Sequence, residues 1–257
     1  MKKERLDKLL MEKGIVRSRE RAQALIMEGK VTVDGRTIDK PGTKVEVEAS
    51  LLLREGAQPY VGRGGIKLEA ALSAFGVDPR GMAVMDVGAS TGGFTDCVLQ
   101  KGARKVYAVD VGYGQLAWKL QKDPRVVSLE RRNVRYLKKE EIPEEIDLVL
   151  IDTSFISIEK FLPHLLGFLR REGHLIGLIK PQFEVGKGEV GKGGVVRNPI
   201  LHQKVIERIS QFSRGLGLNV LGVMESPLLG TQGNKEFFIL LKKEDGEGGQ
   251  TARTKTG

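Results

Sequence analysis

The sequence predicts an α/β protein in which a doubly wound sheet follows a small N-terminal α+β domain. From about residue 63 onward, short apolar runs alternate with helical segments, which is typical of parallel strands joined by helices. Polar residues close several of these runs, at the sheet edge where such folds bind ligands. The first 53 residues instead combine two short helical patterns with a turn-rich segment.

Composition limits the kinds of protein to be considered. The 257 residues carry a net charge of +9 and a pI of about 9.6, which favours a polyanionic partner, most often nucleic acid. Three histidines and one cysteine do not suit a zinc site, and Cys97 has no partner for an internal disulfide. No run reaches the roughly 18 apolar residues of a membrane helix, and no signal-peptide core follows the basic start. We therefore expect a cytoplasmic protein that binds neither metal nor membrane.

Residues 1–53 are predicted to form two helices and a hairpin. The leucines of Leu6–Leu10 share one helical face, and Ser18 can cap a second helix. Val31–Val33 alternates as a strand, and Asp34-Gly35 is a strong hairpin-turn signal. Residues 54–62 are predicted to be a linker that breaks regular structure, because Gly56 and Pro59 lie within them.

Residues 63–243 are predicted to form the α/β domain, and residues 244–257 a disordered tail. Helices are predicted near Ile66–Leu72, from Phe94, and over 116–120, 158–169 and 201–214. Strands are predicted over 83–87, 106–109, 126–129, 146–151, 175–179, 220–224 and 236–241.

Charged residues fall at the ends of these predicted strands. Asp86 and Gly88 close the first strand, Asp110 the second, Asp152 the fourth and Lys180 the fifth. Because the carboxyl ends of parallel strands meet at one edge of the sheet, we expect these side chains to surround a ligand.

The pattern around the first strand favours S-adenosylmethionine over a dinucleotide. The loop Gly88–Gly93 lacks the G-x-G-x-x-G spacing that brings backbone against a pyrophosphate. An acid before the loop repels phosphate but suits a sulfonium ligand that carries an amino group. Asp110 can accept hydrogen bonds from both ribose hydroxyls. The predicted cofactor-binding residues are Asp86, Gly88, Ala89, Ser90, Gly92, Gly93, Phe94, Asp110, Val111 and Asp152.

Lys180 is the candidate for proton transfer. It ends an apolar strand, and Pro181 forces the chain to turn directly after it. A lysine at a strand end commonly extends into solvent, and Lys67, Asp152 and Glu236 taken singly also have ordinary interpretations as caps or surface charges. A lysine can nevertheless act as a general base where desolvation or neighbouring cations lower the pKa of its amine.

The N-terminal residues resemble the alpha-L RNA-binding motif, which is named from a small-subunit ribosomal protein and recurs in pseudouridine synthases. The resemblance rests on the run 17–22, Arg-Ser-Arg-Glu-Arg-Ala, followed by Ile26, Gly29, Val31, Val33 and Gly35. It implies that basic residues of the two-helix face contact structured RNA, mostly through phosphates. The predicted RNA-binding residues are Arg5, Arg17, Arg19, Lys30, Arg63, Arg132 and Arg135.

Lys67, Asp152, Lys180 and Glu236, taken in order, resemble the Lys-Asp-Lys-Glu tetrad of FtsJ-type 2′-O-methyltransferases. With the alpha-L domain in front, and with Gly-Ala-Ser-Thr-Gly-Gly-Phe at 88–94 and Lys-Pro-Gln-Phe-Glu at 180–184, nearly the whole chain resembles the TlyA family. The resemblance implies a Rossmann-like methyltransferase sheet and S-adenosylmethionine-dependent 2′-O-methylation of a cytidine in ribosomal RNA.

The same resemblance assigns roles to the tetrad and names a partner. Lys180 would be the general base, Lys67 and Asp152 would tune and orient it, and Glu236 would hold the tetrad and the substrate hydroxyl. The partner would be ribosomal RNA or a ribosomal subunit.

Two alternatives stay open. A non-catalytic RNA-binding or ribosome-assembly protein with a retained fold is disfavoured because both cofactor acids and all four tetrad residues are present. A membrane-active hemolysin, the family's historical label, lacks a predicted membrane span, although a basic amphipathic helix could still contact lipid.

Overall fold

The computed structural model describes residues 3–16, 18–53, 59–186 and 188–244. The chain divides into two compact units, Met1–Arg63 and Gly64–Gly257. Arg17, most of the predicted linker and the predicted tail from residue 245 lie outside the described residues. The predicted domain boundaries at 53, 62 and 243 stay predictions.

The N-terminal unit contains two helices and five short strands. They are β1 (Lys3–Arg5), α1 (Leu6–Glu12), α2 (Arg19–Met27), β2 (Val31–Val33), β3 (Arg36–Thr37), β4 (Lys44–Glu46) and β5 (Leu51–Leu53). β2 pairs antiparallel with β3 and with β5, and β1 pairs antiparallel with β4.

The apolar faces that the sequence predicted form the core of this unit. Leu6, Leu10 and Ile26 are fully buried between α1, α2 and the strands. The Ser18 hydroxyl accepts a hydrogen bond from the Arg21 backbone N–H at 3.2 Å, so the predicted cap of α2 forms. Strands β1 and β5 were not predicted, because the residues of Lys3–Arg5 are all charged and those of Leu51–Leu53 are all apolar, so neither segment alternates.

The second part of the chain alternates strands and helices around one sheet. The strands are β6 (Ala83–Val87), β7 (Lys105–Val109), β8 (Val126–Leu129), β9 (Ile146–Ile151), β10 (Leu169–Ile179), β11 (Leu218–Glu225) and β12 (Phe237–Lys243). The helices are α3 (Arg63–Phe75), α4 (Gly93–Gln100), α5 (Trp118–Gln121), α6 (Leu162–Leu165), α7 (Pro181–Glu184) and α8 (Pro199–Gly215). Short 3₁₀ turns form at Val134–Tyr136, Lys139–Glu141, Ile158–Lys160 and Thr231–Gly233.

The seven strands lie in the order β11-β12-β10-β9-β6-β7-β8. Neighbouring strands from β10 to β8 run parallel, whereas β12 is antiparallel to both β10 and β11. β6 and β9 lie in the centre, where Met85 and Val149 are fully buried. The sheet is therefore mixed and Rossmann-like, and its parallel strands all present their carboxyl ends at one edge.

The helix predicted over 158–169 is wrong. The structure has a 3₁₀ turn at Ile158–Lys160, then the four-residue α6, and β10 already begins at Leu169. Pro163 explains the break, because a proline inside a helix removes a backbone donor and clashes with the preceding turn. The helix predicted over 116–120 forms only as α5, Trp118–Gln121.

Candidate active site

Three predicted site residues follow the parallel strands at one edge of the sheet. Asp110 follows β7, Asp152 follows β9 and Lys180 follows β10. Strands β9 and β10 are hydrogen-bonded neighbours, with Ile151 in register with Gly177. The strand pairing therefore brings Asp152 and Lys180 together, as expected from their positions in the sequence.

Lys180 has two oxygen partners on the segment that follows β9. Its Nζ lies 2.6 Å from Asp152 Oδ1 as an ion pair, and it donates a hydrogen bond to Ser154 Oγ at 3.1 Å. The Lys180 side chain is only 12% exposed, so the amine is held in place rather than extended into solvent. This arrangement argues against the interpretation of Lys180 as a solvated residue at a strand end.

Lys67 and Glu236 form a second ion pair. Lys67 Nζ donates to Glu236 Oε2 at 2.6 Å, and the side chains are 11% and 3% exposed. Removing two charges from water offsets much of the attraction in a buried ion pair. A contribution to the free energy of folding therefore does not by itself explain why this ion pair is present. Removing either partner would leave the other charge buried and unpaired.

Both ion pairs lie at the same edge of the sheet. The antiparallel register pairs Ile179 with Phe237, so Glu236 enters β12 beside the point where Lys180 leaves β10. At Gly64, one turn before Lys67 on α3, an added Cβ would lie 3.8 Å from Asp152 Oδ2. The start of α3 thus packs against the end of β9, and the four residues of the predicted tetrad are brought to one region.

A cavity of about 430 Å³ opens at this edge. This volume falls in the range of small-molecule and cofactor sites. Its lining combines strand ends, the loop after β9 and the turn after β8. The lining residues are Val87, Gly88, Ser90, Val109, Asp110, Val111, Gln115, Arg132, Asn133, Val134, Asp152, Thr153, Ser154, Phe155, Ile156 and Phe161.

Asp110 organises two loops of the cavity wall. Its Oδ2 accepts a hydrogen bond from the Ser90 backbone N–H at 2.8 Å, and its Oδ1 accepts one from Gly112 N–H at 2.7 Å. An ionised carboxylate has about four acceptor positions, so both oxygens can still accept from a ligand hydroxyl.

Asp86 lies inside β6 and is fully buried. Its Oδ2 accepts hydrogen bonds from the Thr95 backbone N–H at 2.9 Å and from Thr95 Oγ1 at 2.6 Å. Oδ1 has no hydrogen-bond partner among residues 3–16, 18–53, 59–186 and 188–244. Burial, aided by the charges of Asp152 and Asp110 and opposed by the Thr95 bonds, raises the pKa of Asp86 to about 7.

The glycine-rich loop serves packing as well as the cavity. Gly88 has φ +86°, and an added Cβ would lie 2.5 Å from the Asp152 carbonyl oxygen. Gly92 has φ +93°, and an added Cβ would collide with Leu120 and Leu116. Of the predicted cofactor residues, Gly88, Ser90, Asp110, Val111 and Asp152 are among the lining residues. Asp86, Ala89, Gly92, Gly93 and Phe94 are not among them; Gly92 precedes α4, and Gly93 and Phe94 begin it.

Two of the predicted RNA-binding residues of the N-terminal unit, Arg5 and Arg19, contact one buried acid. Asp7 is fully buried, and it accepts hydrogen bonds from Arg5 Nε and Nη2, from Arg19 Nε and from Gln23 Nε2. The Arg5 guanidinium, with Gln23 and Arg19, holds the pKa of Asp7 well below its usual range despite burial. Lys30 instead pairs with Glu28 at 2.7 Å.

Two further predicted RNA-binding residues, Arg132 and Arg135, belong to the second unit. Arg132 is among the cavity-lining residues, and its Nε donates to Glu141 Oε1 at 2.6 Å. Arg135 donates to Asn133 Oδ1 and lies 5.4 Å from the centroid of the Tyr136 ring. Arg63 begins α3, and Arg17 lies outside the described residues.

The sequence analysis did not single out several residues of this region. Ser154 contacts Lys180, and Phe155, which is 89% exposed, packs its ring against Phe183 with 4.9 Å between centroids. Glu184 is buried and accepts from the backbone of Ile158. The signal for Glu184 in the sequence was its place as the last residue of the Lys-Pro-Gln-Phe-Glu run at 180–184.

Comparisons with known proteins match both parts of the chain to known families. Residues 60–243 match the FtsJ-like methyltransferase family, and residues 4–51 match the S4 domain. A Mycobacterium tuberculosis protein named 16S/23S rRNA (cytidine-2′-O)-methyltransferase TlyA is 46% identical over 93% of this chain and 90% of its own length. The chain belongs to the TlyA family of FtsJ-like methyltransferases. The resemblance and the predicted fold class are confirmed, and the protein is a methyltransferase.

Other TlyA-family relatives carry the older name. Hemolysin A of Brachyspira hyodysenteriae is 40% identical over 91% of this chain and 98% of its own length. A solved structure from Streptococcus thermophilus, named as a candidate hemolysin, superposes with a TM-score of 0.75 at 43% identity, covering 95% of this chain and 90% of that one. In the described ranges of the chain, no helix has the length and apolar character needed to cross a membrane.

Gly88→Ala tests the close approach between the glycine loop and the end of β9. The added methyl meets backbone rather than a movable side chain, so we expect a loss of about 3 kcal/mol in the free energy of unfolding by urea titration. Gly76→Ala is the matched control, because Gly76 has φ +66° with nothing within 4 Å of an added Cβ. Its strain alone should cost about 1 kcal/mol. Equal losses in the two variants would contradict the predicted close approach.

Asp86→Asn tests the buried carboxyl. The folded protein keeps the Asp86 proton up to a pKa of about 7, while the unfolded chain releases it from the ordinary value of 3.8. The contribution of Asp86 to stability is therefore present at low pH and is lost as pH rises through this window. Relative to Asp86→Asn, the wild type should lose about 2 kcal/mol in free energy of unfolding between pH 5 and pH 7. A difference that stays constant with pH would show that Asp86 is ionised in the folded protein throughout.

Proposed function

We propose that this protein transfers a methyl group from S-adenosylmethionine to the ribose 2′-hydroxyl of a cytidine in ribosomal RNA. The observation that carries the proposal is the oriented amine of Lys180, held by Asp152 and Ser154, both of which line the cavity. The name of the Mycobacterium tuberculosis relative supports the substrate class.

The residues of the cavity fit S-adenosylmethionine. Asp110 offers carboxylate oxygens for ribose hydroxyls, and Val111 and Val134 offer apolar walls for a purine. Asp152 carries negative charge at the same cavity, which suits a cationic sulfonium and an amino group. The chemistry that this donor would supply when bound is an electrophilic methyl group, whose bond to the sulfonium sulfur breaks on transfer to leave a neutral thioether.

The proton of the 2′-hydroxyl has an acceptor in Lys180. A ribose hydroxyl is a poor nucleophile, so its proton must leave as the oxygen forms its bond to the methyl carbon. Lys180 enters this step as the neutral amine and takes that proton at Nζ. The ammonium that results is held by the ion pair with Asp152 Oδ1 and by a hydrogen bond to Ser154 Oγ, which are contacts that the structure already has.

Lys67 and Glu236 act as the second half of the tetrad in this proposal. Their mutual ion pair fixes Glu236 at the start of β12, next to the end of β10. The Glu236 carboxylate can accept a hydrogen bond from a substrate hydroxyl while it keeps Lys67 as a partner. Lys67 balances the negative charge of Glu236, which would otherwise be buried alone.

RNA binding is assigned to the N-terminal S4 unit and to basic residues near the cavity. Asp7 fixes the guanidinium groups of Arg5 and Arg19, whose side chains remain 42% and 49% exposed. Guanidinium groups held in this way can still present N–H donors to a phosphate. We therefore propose ribosomal RNA or a ribosomal subunit as the partner, and the cytoplasm as the place where they meet.

Lys180→Ala tests the reaction and the base together. Purified protein is incubated with tritiated S-adenosylmethionine and with rRNA or ribosomal subunits, and the label is mapped as alkali-resistant 2′-O-methylcytidine. Lys180→Ala should lower kcat by about 100-fold or more. The control Lys235→Ala removes a half-exposed lysine that pairs with Glu225, and it should retain wild-type activity.

The outcomes of this experiment separate the alternatives. No label in rRNA with wild-type protein would leave a non-catalytic RNA-binding protein, and label on a base would overturn the 2′-hydroxyl. Undiminished labelling by Lys180→Ala would overturn only the assignment of the base. Dye release from lipid vesicles by the wild type would support the hemolysin alternative instead.

Arg5→Ala combined with Arg19→Ala tests the S4 contact. Loss of two phosphate contacts should weaken binding to an rRNA fragment about 10-fold or more and lower the slope of log K against log salt by about 2. Arg80→Ala with Arg214→Ala removes the same charge from exposed ion pairs of the second unit. If both double variants bind with the same affinity and slope, net charge rather than the Asp7 cluster drives binding.

A further inference from the structure

One turn of chain, residues 180–184, contacts the loop of residues 152–158 at three points. Lys180 contacts Asp152 and Ser154, the Phe183 ring packs on Phe155, and Glu184 reaches the far end of the loop. The loop itself supplies Asp152, Thr153, Ser154, Phe155 and Ile156 to the cavity wall. The turn that carries the proposed base therefore also holds the loop that orients it.

Glu184 makes the contact that is furthest from the lysine. Its Oε1 accepts a hydrogen bond from the Ile158 backbone N–H at 3.0 Å, and its side chain is only 2% exposed. Ile158 is the first residue of a 3₁₀ turn, where backbone N–H groups have no partner within the turn. Glu184 thus satisfies a buried donor at the point where the loop rejoins regular structure.

Arg208 on α8 completes the anchor. Its Nη2 donates to Glu184 Oε2 at 2.9 Å, and its Nε donates to Glu159 Oε1 at 3.1 Å. One guanidinium therefore links the end of α7, the 3₁₀ turn after the loop and the long helix α8. Burial raises the pKa of Glu184, while the Ile158 hydrogen bond and the charge of Arg208 favour its ionised form.

The loop between these anchors holds an unfavourable backbone conformation. Phe155 has φ +67°, a left-handed value that is unfavourable for a bulky residue. Such a conformation persists only where flanking contacts fix it. Lys180 fixes the loop on one side of Phe155, and Glu184 fixes it on the other.

We propose that Glu184, held by Arg208, is a positioning residue for the methyl transfer, because it fixes the loop that sets Asp152 and Ser154 around Lys180. Glu184 contacts neither the tetrad nor, among the described residues, the cavity wall directly; it acts through the backbone of Ile158. The inference rests on the proposed function for its kinetic readout, and on amide exchange for its structural one.

The experiment compares Glu184→Ala, Glu184→Gln, Arg208→Met and the control Arg214→Met in the full-length protein. Glu184→Ala removes the acceptor of the Ile158 N–H, whereas Glu184→Gln keeps a carbonyl oxygen there and removes only the charge. Arg208→Met breaks both ion pairs of the anchor but leaves the Ile158 hydrogen bond. Arg214 also lies on α8, but it pairs only with Glu207 on its own helix in the described contacts.

Loop mobility is measured by hydrogen–deuterium exchange of the amides of residues 153–158, and the reaction by kcat and KM for rRNA. We expect Glu184→Ala to speed exchange of these amides at least about 10-fold beyond the global change, and to lower kcat by about 30-fold with KM for rRNA nearly unchanged. Glu184→Gln should restore kcat to within about 5-fold of wild type, with Arg208→Met between the two and Arg214→Met unchanged.

Two results would overturn the inference. One is exchange at 153–158 in Glu184→Ala that changes no more than in the rest of the sheet, which indicates a purely structural role. The other is a kcat of Glu184→Ala that equals that of Arg214→Met. If the wild type transfers no methyl group to rRNA, the proposed function fails, and the exchange data still decide whether Glu184 fixes the loop.

Discussion

The ion pair between Lys180 and Asp152 joins the ends of two adjacent parallel strands, and the rest of the site depends on it. Strands β9 and β10 bring the two side chains together because their registers end within a few residues of each other. The loop after β9 is then held against the turn after β10, and that loop forms one wall of the cavity. The opposite wall follows β7, where Asp110 fixes the backbone of two loops. The order of the strands thus explains why the ion pair of Lys180 and Asp152 lies beside the cavity.

Much of this arrangement could be predicted from the sequence. A buried strand appears as a short apolar run, and the residue that follows the run is then known to lie at the sheet edge. Asp110, Asp152 and Lys180 were placed correctly at the sheet edge by that logic alone.

The pairing of Lys67 with Glu236 was not predictable from periodicity, since 169 residues separate them and only the antiparallel return of β12 brings them together. The helix expected over 158–169 failed because apolar periodicity outweighed the signal of Pro163. Glu184 was passed over because its partners are a backbone amide and an arginine on a distant helix.

The two units use buried acids in different ways. In the N-terminal unit, Asp7 is surrounded by donors that stabilise its charge, so it keeps two arginines in fixed positions. In the second unit, Asp86 receives hydrogen bonds at one oxygen only from the described part of the chain, and burial favours its protonated form. The first acid fixes two guanidinium groups in the part of the chain that matches the S4 domain. The second ties β6 to the first turn of α4, through Thr95, and so shapes the glycine loop between them.

Strand β12 lies between β10 and β11 and is antiparallel to both. Glu236 therefore lies at this sheet edge just before its strand begins, whereas Asp152 and Lys180 lie there just after their strands end. Side chains on a strand alternate between faces, so a shift of β12 by one residue would turn Glu236 away from Lys67. Insertions and deletions in the 226–235 connection are therefore expected to be tolerated only if they leave the pairing of Phe237 with Ile179 unchanged. The position of Glu236 directly before β12 is constrained more tightly than the length of the loop that precedes it.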